Sequence, residues 1–325
     1  MFSTISPKIL KKMKNKVVIG IDTSNYTTSC AVCDLNGNIL ENYKELLPVK
    51  AGEKGLRQSD AVFAHVKNFQ IISSRIKKKH ADYDIVAIGY SAYPRDKEGS
   101  YMPCFLVGQG VCEMISALYG IPSYGFSHQS GHIQAALYSA GFQADEPFIA
   151  FHVSGGTTEI VLAKPNDSGF DVNLLGGSVD LHAGQAIDRI GVKMGLMFPC
   201  GKEIERLATQ NSKKIPSCKI SVKDYNCNLS GLENLSMKLY EETGDKELTS
   251  AYVLSFVSKT LEKLTSNIRE NYPRIKIVYA GGVMSNKIIK SSLLSKFKNV
   301  YFATPEFSTD NASGVALLTY KKLTK

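Results

Sequence analysis

The chain has 325 residues, 43% of them hydrophobic and 21% charged, which is ordinary for a soluble globular protein and long enough for about two domains of ~150 residues. Its net charge of +9 favours a polyanionic partner such as nucleic acid, with Lys clusters at Lys11-Lys12, Lys77-Lys78-Lys79 and Lys213-Lys214. The longest apolar stretch, Phe105 to Pro122, is interrupted by Gln109 and Glu113, so no membrane span is expected, and the seven scattered cysteines form no disulfide framework and fit a reducing cytoplasm.

Residues 1–16 carry five Lys and no acid and lack the apolar core of a signal peptide; they read as a basic N-terminal arm. Val17 to Asp22, Ser29 to Asp34 and Ile39 to Tyr43 then read as an antiparallel three-strand set, with Asn36-Gly37-Asn38 as a hairpin turn. Cys30 and Cys33 make a lone C-x-x-C on a strand and read as buried thiols. Ser59-Asp60 would cap a helix running to about Lys79, whose Val62, Val66, Phe69, Ile72 and Ile76 share a face. A buried strand at Asp84 to Ser91, a helix at Phe105 to Tyr119, a strand at Ile121 to Phe126 and a helix at Gln129 to Ala140 complete a first half over 17–146.

The second half, 147–325, opens as the first does. Ile149-Ala-Phe-His-Val-Ser-Gly-Gly-Thr-Thr158 lies without a gap on Ile19-Gly-Ile-Asp-Thr-Ser-Asn-Tyr-Thr-Thr28 at an offset of 152 − 22 = 130 residues, with Asp22 falling on His152. Strands follow at Glu159 to Ala163 and Asp171 to Leu175, then helices at about Gly184 to Met194 and Lys202 to Gln210. A helical insertion is placed near 201–250, with an irregular segment at Asn211 to Leu229. A long helix at about Lys246 to Asn271, a strand at Ile275 to Tyr279, a helix at Asn286 to Lys296, a strand at Val300 to Phe302 and a closing helix at Asn311 to Lys322 end the chain. Hairpin, parallel strands and crossover helices used twice predict an α/β protein of duplicated actin-like, sugar-kinase-like fold, two βββαβαβα-type halves around a central cleft.

Four motifs bear on chemistry. His128-Gln-Ser-Gly-His132 places two imidazoles one helical turn apart, a spacing that grips a metal ion and that also occurs in ordinary histidine pairs. It is not a metalloprotease signature, because Gln129 stands where the general-base Glu would be. Asp310, in Ser308-Thr-Asp-Asn-Ala-Ser-Gly314, reads as a helix cap or as a carboxylate ligand facing the histidines. Val153-Ser-Gly-Gly156 offers hydroxyls and backbone N–H groups to a phosphate or carboxylate, and Ala280-Gly-Gly-Val283 is a strand-to-helix turn that a ligand can approach closely. Asp188, in Gly184-Gln-Ala-Ile-Asp188, is placed to bind ribose hydroxyls, with Pro199-Cys-Gly201 in a following turn.

Taken together, His65-Val66, His128…His132, Val153-Ser-Gly-Gly156, Gly184-Gln-Ala-Ile-Asp188, Gly281-Gly-Val-Met-Ser-Asn286 and Pro305-Glu-Phe-Ser-Thr-Asp-Asn311 resemble the TsaD family, the tRNA threonylcarbamoyladenosine synthase subunit once labelled a glycoprotease. The resemblance spans about residues 17 to 323. It implies an actin-like ATPase fold and one divalent metal, iron or zinc, on His128, His132 and Asp310. It implies a nucleotide, threonylcarbamoyl-AMP or ATP, held by Val153, Ser154, Gly155, Gly156, Asp188, Gly201 and Asn286. The activity implied is transfer of a threonylcarbamoyl group to N6 of the adenosine next to the anticodon in tRNA, in a cytoplasmic, non-membrane setting. The partners implied are TsaB-like and TsaE-like subunits, or a homodimer. The resemblance implies no particular catalytic residue.

The chain departs from the family pattern in three places. Thr23-Ser-Asn-Tyr-Thr-Thr28 stands where the family has Thr-Ser-Cys-Asp-Glu-Thr, so Tyr26 and Thr27 replace an acidic pair. Thr157 replaces a His, and Tyr93-Pro-Arg-Asp-Lys-Glu-Gly99 replaces a small Gly-Pro-Gly loop. The expectation is therefore a divergent paralogue. Its alternatives are a catalytically weak nucleotide-binding scaffold in the tRNA-modification complex, or a carbamoyltransferase for another acceptor.

Overall fold

The segment Val17–Thr23 is apolar on both faces of a strand and buried throughout, so it needs cover on both sides of its sheet. In the computed structural model, which describes residues 14–24, 26–48, 56–308 and 312–325, it has that cover. The elements in chain order are β1 (Asn15–Thr23), β2 (Thr27–Asp34), β3 (Ile39–Leu46), α1 (Gln58–Ile76), β4 (Tyr83–Tyr93), α2 (Phe105–Tyr119), β5 (Ser123–Ser127) and α3 (His128–Ser139). They continue with β6 (Phe148–Val153), β7 (Thr158–Asn166), β8 (Gly169–Ser178), α4 (Ala183–Lys193), α5 (Gly201–Gln210), β9 (Ser221–Lys223), β10 (Asn226–Asn228), α6 (Ser230–Thr243) and α7 (Lys246–Asn271). The last are β11 (Ile277–Ala280), α8 (Lys287–Lys296), β12 (Val300–Phe302) and α9 (Ser313–Thr324). The basic arm expected at 1–16 lies outside the described residues up to position 13.

The chain divides into two units, 1–131 with 310–325, and 132–309. The closing helix α9, which the sequence places at the end of the second half, thus packs in the first unit, on β1, β2 and β4. That unit's sheet has the order β3-β2-β1-β4-β5 among the described residues. β1 pairs antiparallel with β2 and parallel with β4, so a hairpin opens the sheet and crossover helices continue it. Ile19 and Ile21 meet Ile72 of α1 and Cys112 of α2 on one face. Gly20 points the other way, and a Cβ there would lie 2.3 Å from the backbone nitrogen of Ala316 in α9. The small residue is what lets helix and strand backbones approach. Ser59 and Asp60 do not cap α1; the cap position is Arg57, without a side-chain hydrogen bond.

The second unit's sheet has the order β12-β11-β6-β7-β8-β10-β9 among the described residues. Ile149, Phe151 and Val153 of β6 face a core shared with α4, α5 and α7. Phe148, on the opposite face, meets Phe142 and Phe170 edge-on. α7 is buried along most of its 26 residues and starts where Asp245 accepts the Leu248 N–H at 2.9 Å. The segment expected to be irregular, 211–229, contains the short β9–β10 hairpin, which adds to the sheet through β8. Cys30 and Cys33 are buried, and burial pushes both thiols up to about 12, as expected of structural cysteines. No described helix is long and apolar enough to cross a membrane.

Candidate active site

In the first unit, β1, β4 and β5 run parallel and end at one edge of the sheet, the edge at which open α/β sheets bind ligands. Buried polar groups collect there: Asp22, Thr23 and Ser24 on β1 and its turn, Ser91 on β4 and Ser127 on β5. The next residue, His128, opens α3. Its Nδ1 lies 2.8 Å from Oδ1 of Asp22, a carboxylate only 1% exposed. The Phe105 ring is tilted against the imidazole at 5.8 Å between centroids. α3 starts at this point because Ser127 Oγ accepts the Ser130 N–H at 3.1 Å. Asp96 accepts the Ser127 and Ser130 hydroxyls, and takes the Tyr93 hydroxyl on its other oxygen. The loop that replaces Gly-Pro-Gly therefore ties down the helix that carries both candidate histidines.

The turn after β1 is anchored from behind by α1. Asn68 donates to Thr28 Oγ1 at 3.1 Å, and the same oxygen lies 2.8 Å from His65 Nδ1. His65 is fully buried, and that burial pulls its pKa down to about 4 against the opposing charge of Asp22 and the Ser24 backbone. It is a neutral, structural histidine. Of the two residues replacing the expected acidic pair, Tyr26 is 44% exposed and Thr27 is buried at 4%.

In the second unit the corresponding turn is built differently. Ser154 N–H donates to the Thr157 carbonyl at 2.7 Å, and Ser154 Oγ accepts from the Gly156 and Thr157 N–H groups at 3.3 and 3.1 Å. Gly155 and Gly156 are exposed. Of the two N–H groups expected to face an anion, that of Gly156 is thus directed to Ser154. α4 abuts the turn: Gly184 N–H donates to the Ser154 carbonyl at 3.0 Å, and a Cβ on Gly184 would sit 2.7 Å from the Gly155 nitrogen. Gly281 adopts φ +99 at the end of β11, where a Cβ would lie 2.3 Å from the Val153 carbonyl oxygen. Motifs far apart in sequence, 153–156, 184 and 281, are in backbone contact at the ends of β6 and β11.

One turn along α4, Asp188 accepts the Cys200 N–H at 2.7 Å, next to Gly201 at the start of α5. Burial raises its pKa, and the Cys200 N–H opposes the rise. Asp188 and Gly155 line a cavity of about 640 Å³ with Gln185, Arg189, Lys193 and Phe198. Val153, Ser154, Gly201 and Asn286 do not line it. Asn286 caps α8, its Oδ1 accepting from the Ile288 and Ile289 N–H groups at 3.0 and 3.1 Å.

His132 lies on α3 four residues after His128, and in the second unit its ring is 5.7 Å from that of His152 on β6. Asp310 lies outside the described residues. Among the described residues no group of three or more His, Cys, Asp or Glu side chains is arranged around a metal position. The imidazoles themselves suit a metal. Both are partly exposed, and a buried carboxylate lies against His128 Nδ1, a pairing that metal-ligating histidines commonly make. Neither Asp22, beside His128 in the first unit, nor His152, beside His132 in the second, was among the residues expected from sequence to bind a ligand. The signal was present, since overlaying the two hairpins places one on the other.

A profile of the family described as tRNA N6-adenosine threonylcarbamoyltransferase, TsaD, matches residues 45–317. The chain belongs to the TsaD family. The tRNA N6-adenosine threonylcarbamoyltransferase of Thermosipho africanus is 30% identical over 94% of this chain and 94% of its own. That of Streptococcus pneumoniae is 27% identical over 94% and 91%. Among solved structures, HypF from T. kodakarensis superposes with a TM-score of 0.62 at 11% identity, over 95% of this chain and 48% of HypF. A ROK family glucokinase from Streptomyces griseus superposes at 0.51 and 13% identity, over 95% and 100%. These likenesses establish the fold as actin-like and sugar-kinase-like, as the duplicated hairpin predicts.

Proposed function

We propose that this TsaD-family chain is a threonylcarbamoyl transferase. Its acceptor is N6 of the adenosine next to the anticodon in tRNA, and its donor is threonylcarbamoyl-AMP. The observation that carries the reading is the family match over residues 45–317, joined to relatives named for this reaction that align along 94% of the chain. The amine nitrogen attacks the carbamoyl carbon, the bond from that carbon to the AMP phosphate oxygen breaks, AMP leaves, and the amine gives up a proton.

Asp188 and Gly155, on the walls of one cavity, are assigned to the nucleotide: the carboxylate to ribose hydroxyls and the turn to the phosphate. Val153, Ser154 and Gly281 hold that turn in shape, and Gly201 and Asn286 stand at the starts of the neighbouring helices. His128, His132 and Asp310 would hold a divalent metal, iron or zinc, which when bound supplies Lewis acidity and a template for the threonylcarbamoyl end. The net charge of +9 fits tRNA, and TsaB-like and TsaE-like subunits or a second copy complete the assembly.

A second reading is a nucleotide-binding scaffold of the same complex, or a transferase for another acceptor. It is favoured by Tyr26 and Thr27, since neither hydroxyl replaces a carboxylate base at neutral pH. The deciding experiment mixes the purified protein with threonylcarbamoyl-AMP and unmodified tRNA, with and without partner subunits, and reads the tRNA nucleosides by mass spectrometry. Modified adenosine is expected. Its absence, with nucleotide still bound, would turn the assignment to the scaffold.

A further inference from the structure

We propose that Asp22 is a positioning residue that makes His128 a metal ligand, by accepting a hydrogen bond from the Nδ1 N–H and leaving Nε2 unprotonated. The proposal rests on the reading of His128 as a ligand. Three observations carry it. Asp22 Oδ1 is 2.8 Å from His128 Nδ1 and the carboxylate is 1% exposed, so water does not compete for the bond. The imidazole is gripped on a second side by the buried Phe105 ring, and its backbone is set by the Ser127 cap and by Asp96. Finally, Asp22 is the one acid in the whole sequence from Asn15 to Cys33, because the turn that follows it carries Tyr26 and Thr27.

The chemistry follows from tautomers. A neutral imidazole has one N–H and one lone pair, and a metal takes the lone pair. With no partner the two tautomers compete. A buried carboxylate on Nδ1 selects the Nδ1–H form, fixes the ring plane and raises the basicity of Nε2. Without it, part of each metal-binding event is spent on reorienting the ring.

The test compares the wild-type chain with Asp22→Asn, Asp22→Glu and His128→Ala. Zn²⁺ affinity is measured by competition with a chromophoric chelator, and folding is checked by circular dichroism. Asp22→Asn, which keeps shape but loses the charge, is expected to weaken Zn²⁺ binding by about 10–100-fold with the fold kept, and Asp22→Glu is expected to recover most of that loss. Nitrogen-15 spectra of the metal-free wild type at pH 8 are expected to show His128 protonated at Nδ1 and not at Nε2. This readout does not depend on metal or on a folded variant. The opposite tautomer overturns the proposal. So does wild-type affinity in Asp22→Asn while His128→Ala has lost its metal, an outcome that leaves the ligand reading standing. Wild-type affinity in His128→Ala removes the ligand reading and the proposal with it.

Discussion

The two hairpin ends, residues 23–24 with 26–28 and residues 153–158, occupy the same place in their units and are built to opposite ends. In the first, the hydroxyls of Thr23 and Thr28 serve the fold. Thr28 joins α1 through His65 and Asn68, and Thr23 Oγ1 accepts the Gly108 N–H of α2 at 3.2 Å. In the second, Ser154 closes the turn on itself and leaves Gly155 and Gly156 exposed beside the cavity that Asp188 lines. Duplication supplied one frame. Filling the first turn with side-chain bonds made it an anchor, and emptying the second of side chains made it a surface a ligand can reach. The residue at the equivalent strand position marks the same division: Asp22 holds His128, whereas His152 stands beside His132.

The largest effects are expected where the backbones meet. Gly20→Ala would push a Cβ against α9, and Gly281→Ala would combine a clash on Val153 with a positive φ that an L side chain resists. Each is expected to cost at least about 3 kcal/mol in urea denaturation, because backbone rather than a flexible side chain must move. A loss below about 1 kcal/mol would mean that the close approaches are loosely held.

Next comes the anchor's response to acid. His65 is folded with a pKa near 4 against 6.5 for the free group, so the unfolded chain binds the extra proton first. Its contribution is whole above pH 6.5 and is lost as pH falls through that value towards 4, by about 2–3 kcal/mol in all. Comparing urea midpoints of wild type and His65→Gln at pH 7.5 and pH 4.5 isolates it. The two proteins should differ at neutral pH and converge in acid. A constant difference would mean that His65 is not held neutral. Thr28→Val, which removes the partner of His65 Nδ1 and leaves the Asn68 amide only the Glu45 and Leu46 carbonyls, is expected to cost about 1–2 kcal/mol by the same measurement.

The contrast between the turns also explains what could be read in advance. Strand, helix and hairpin order followed from periodicity and from the repeat around Asp22 and His152, because burial on both faces of β1 and β6 leaves few alternatives. The home of α9 did not, since nothing local tells a helix which sheet it covers; Gly20 and Gly89 carried the information, but only as partners of Ala316 and Thr319. The cavity was half legible. Asp188 and Gly155 stood in motifs, whereas Arg189, Lys193 and Phe198 reach it through helix phase and a turn. Asn286 shows a role that its motif did not announce, since its side-chain oxygen caps the N-terminus of α8.

Asp188→Asn tests the open side. Asparagine keeps an acceptor for the Cys200 N–H, so stability should change by less than about 0.5 kcal/mol, while the affinity for AMP or ATP, read by calorimetry, should fall about tenfold with loss of the charge-assisted bond. An unchanged affinity would remove Asp188 from the nucleotide site.

The smallest stability effect, and the sharpest comparison, is expected at Gly155. Nothing lies within 4 Å of a Cβ built there, so Gly155→Ala should stay within about 0.5 kcal/mol of wild type, against several at Gly20. If Gly155 is glycine to admit a phosphate to the backbone, the methyl group should nevertheless weaken nucleotide binding. A position neutral in urea and costly in calorimetry is one kept for a ligand. A position neutral in both would reduce the second turn to a plain hairpin end and leave the cavity to Asp188, Arg189 and Lys193.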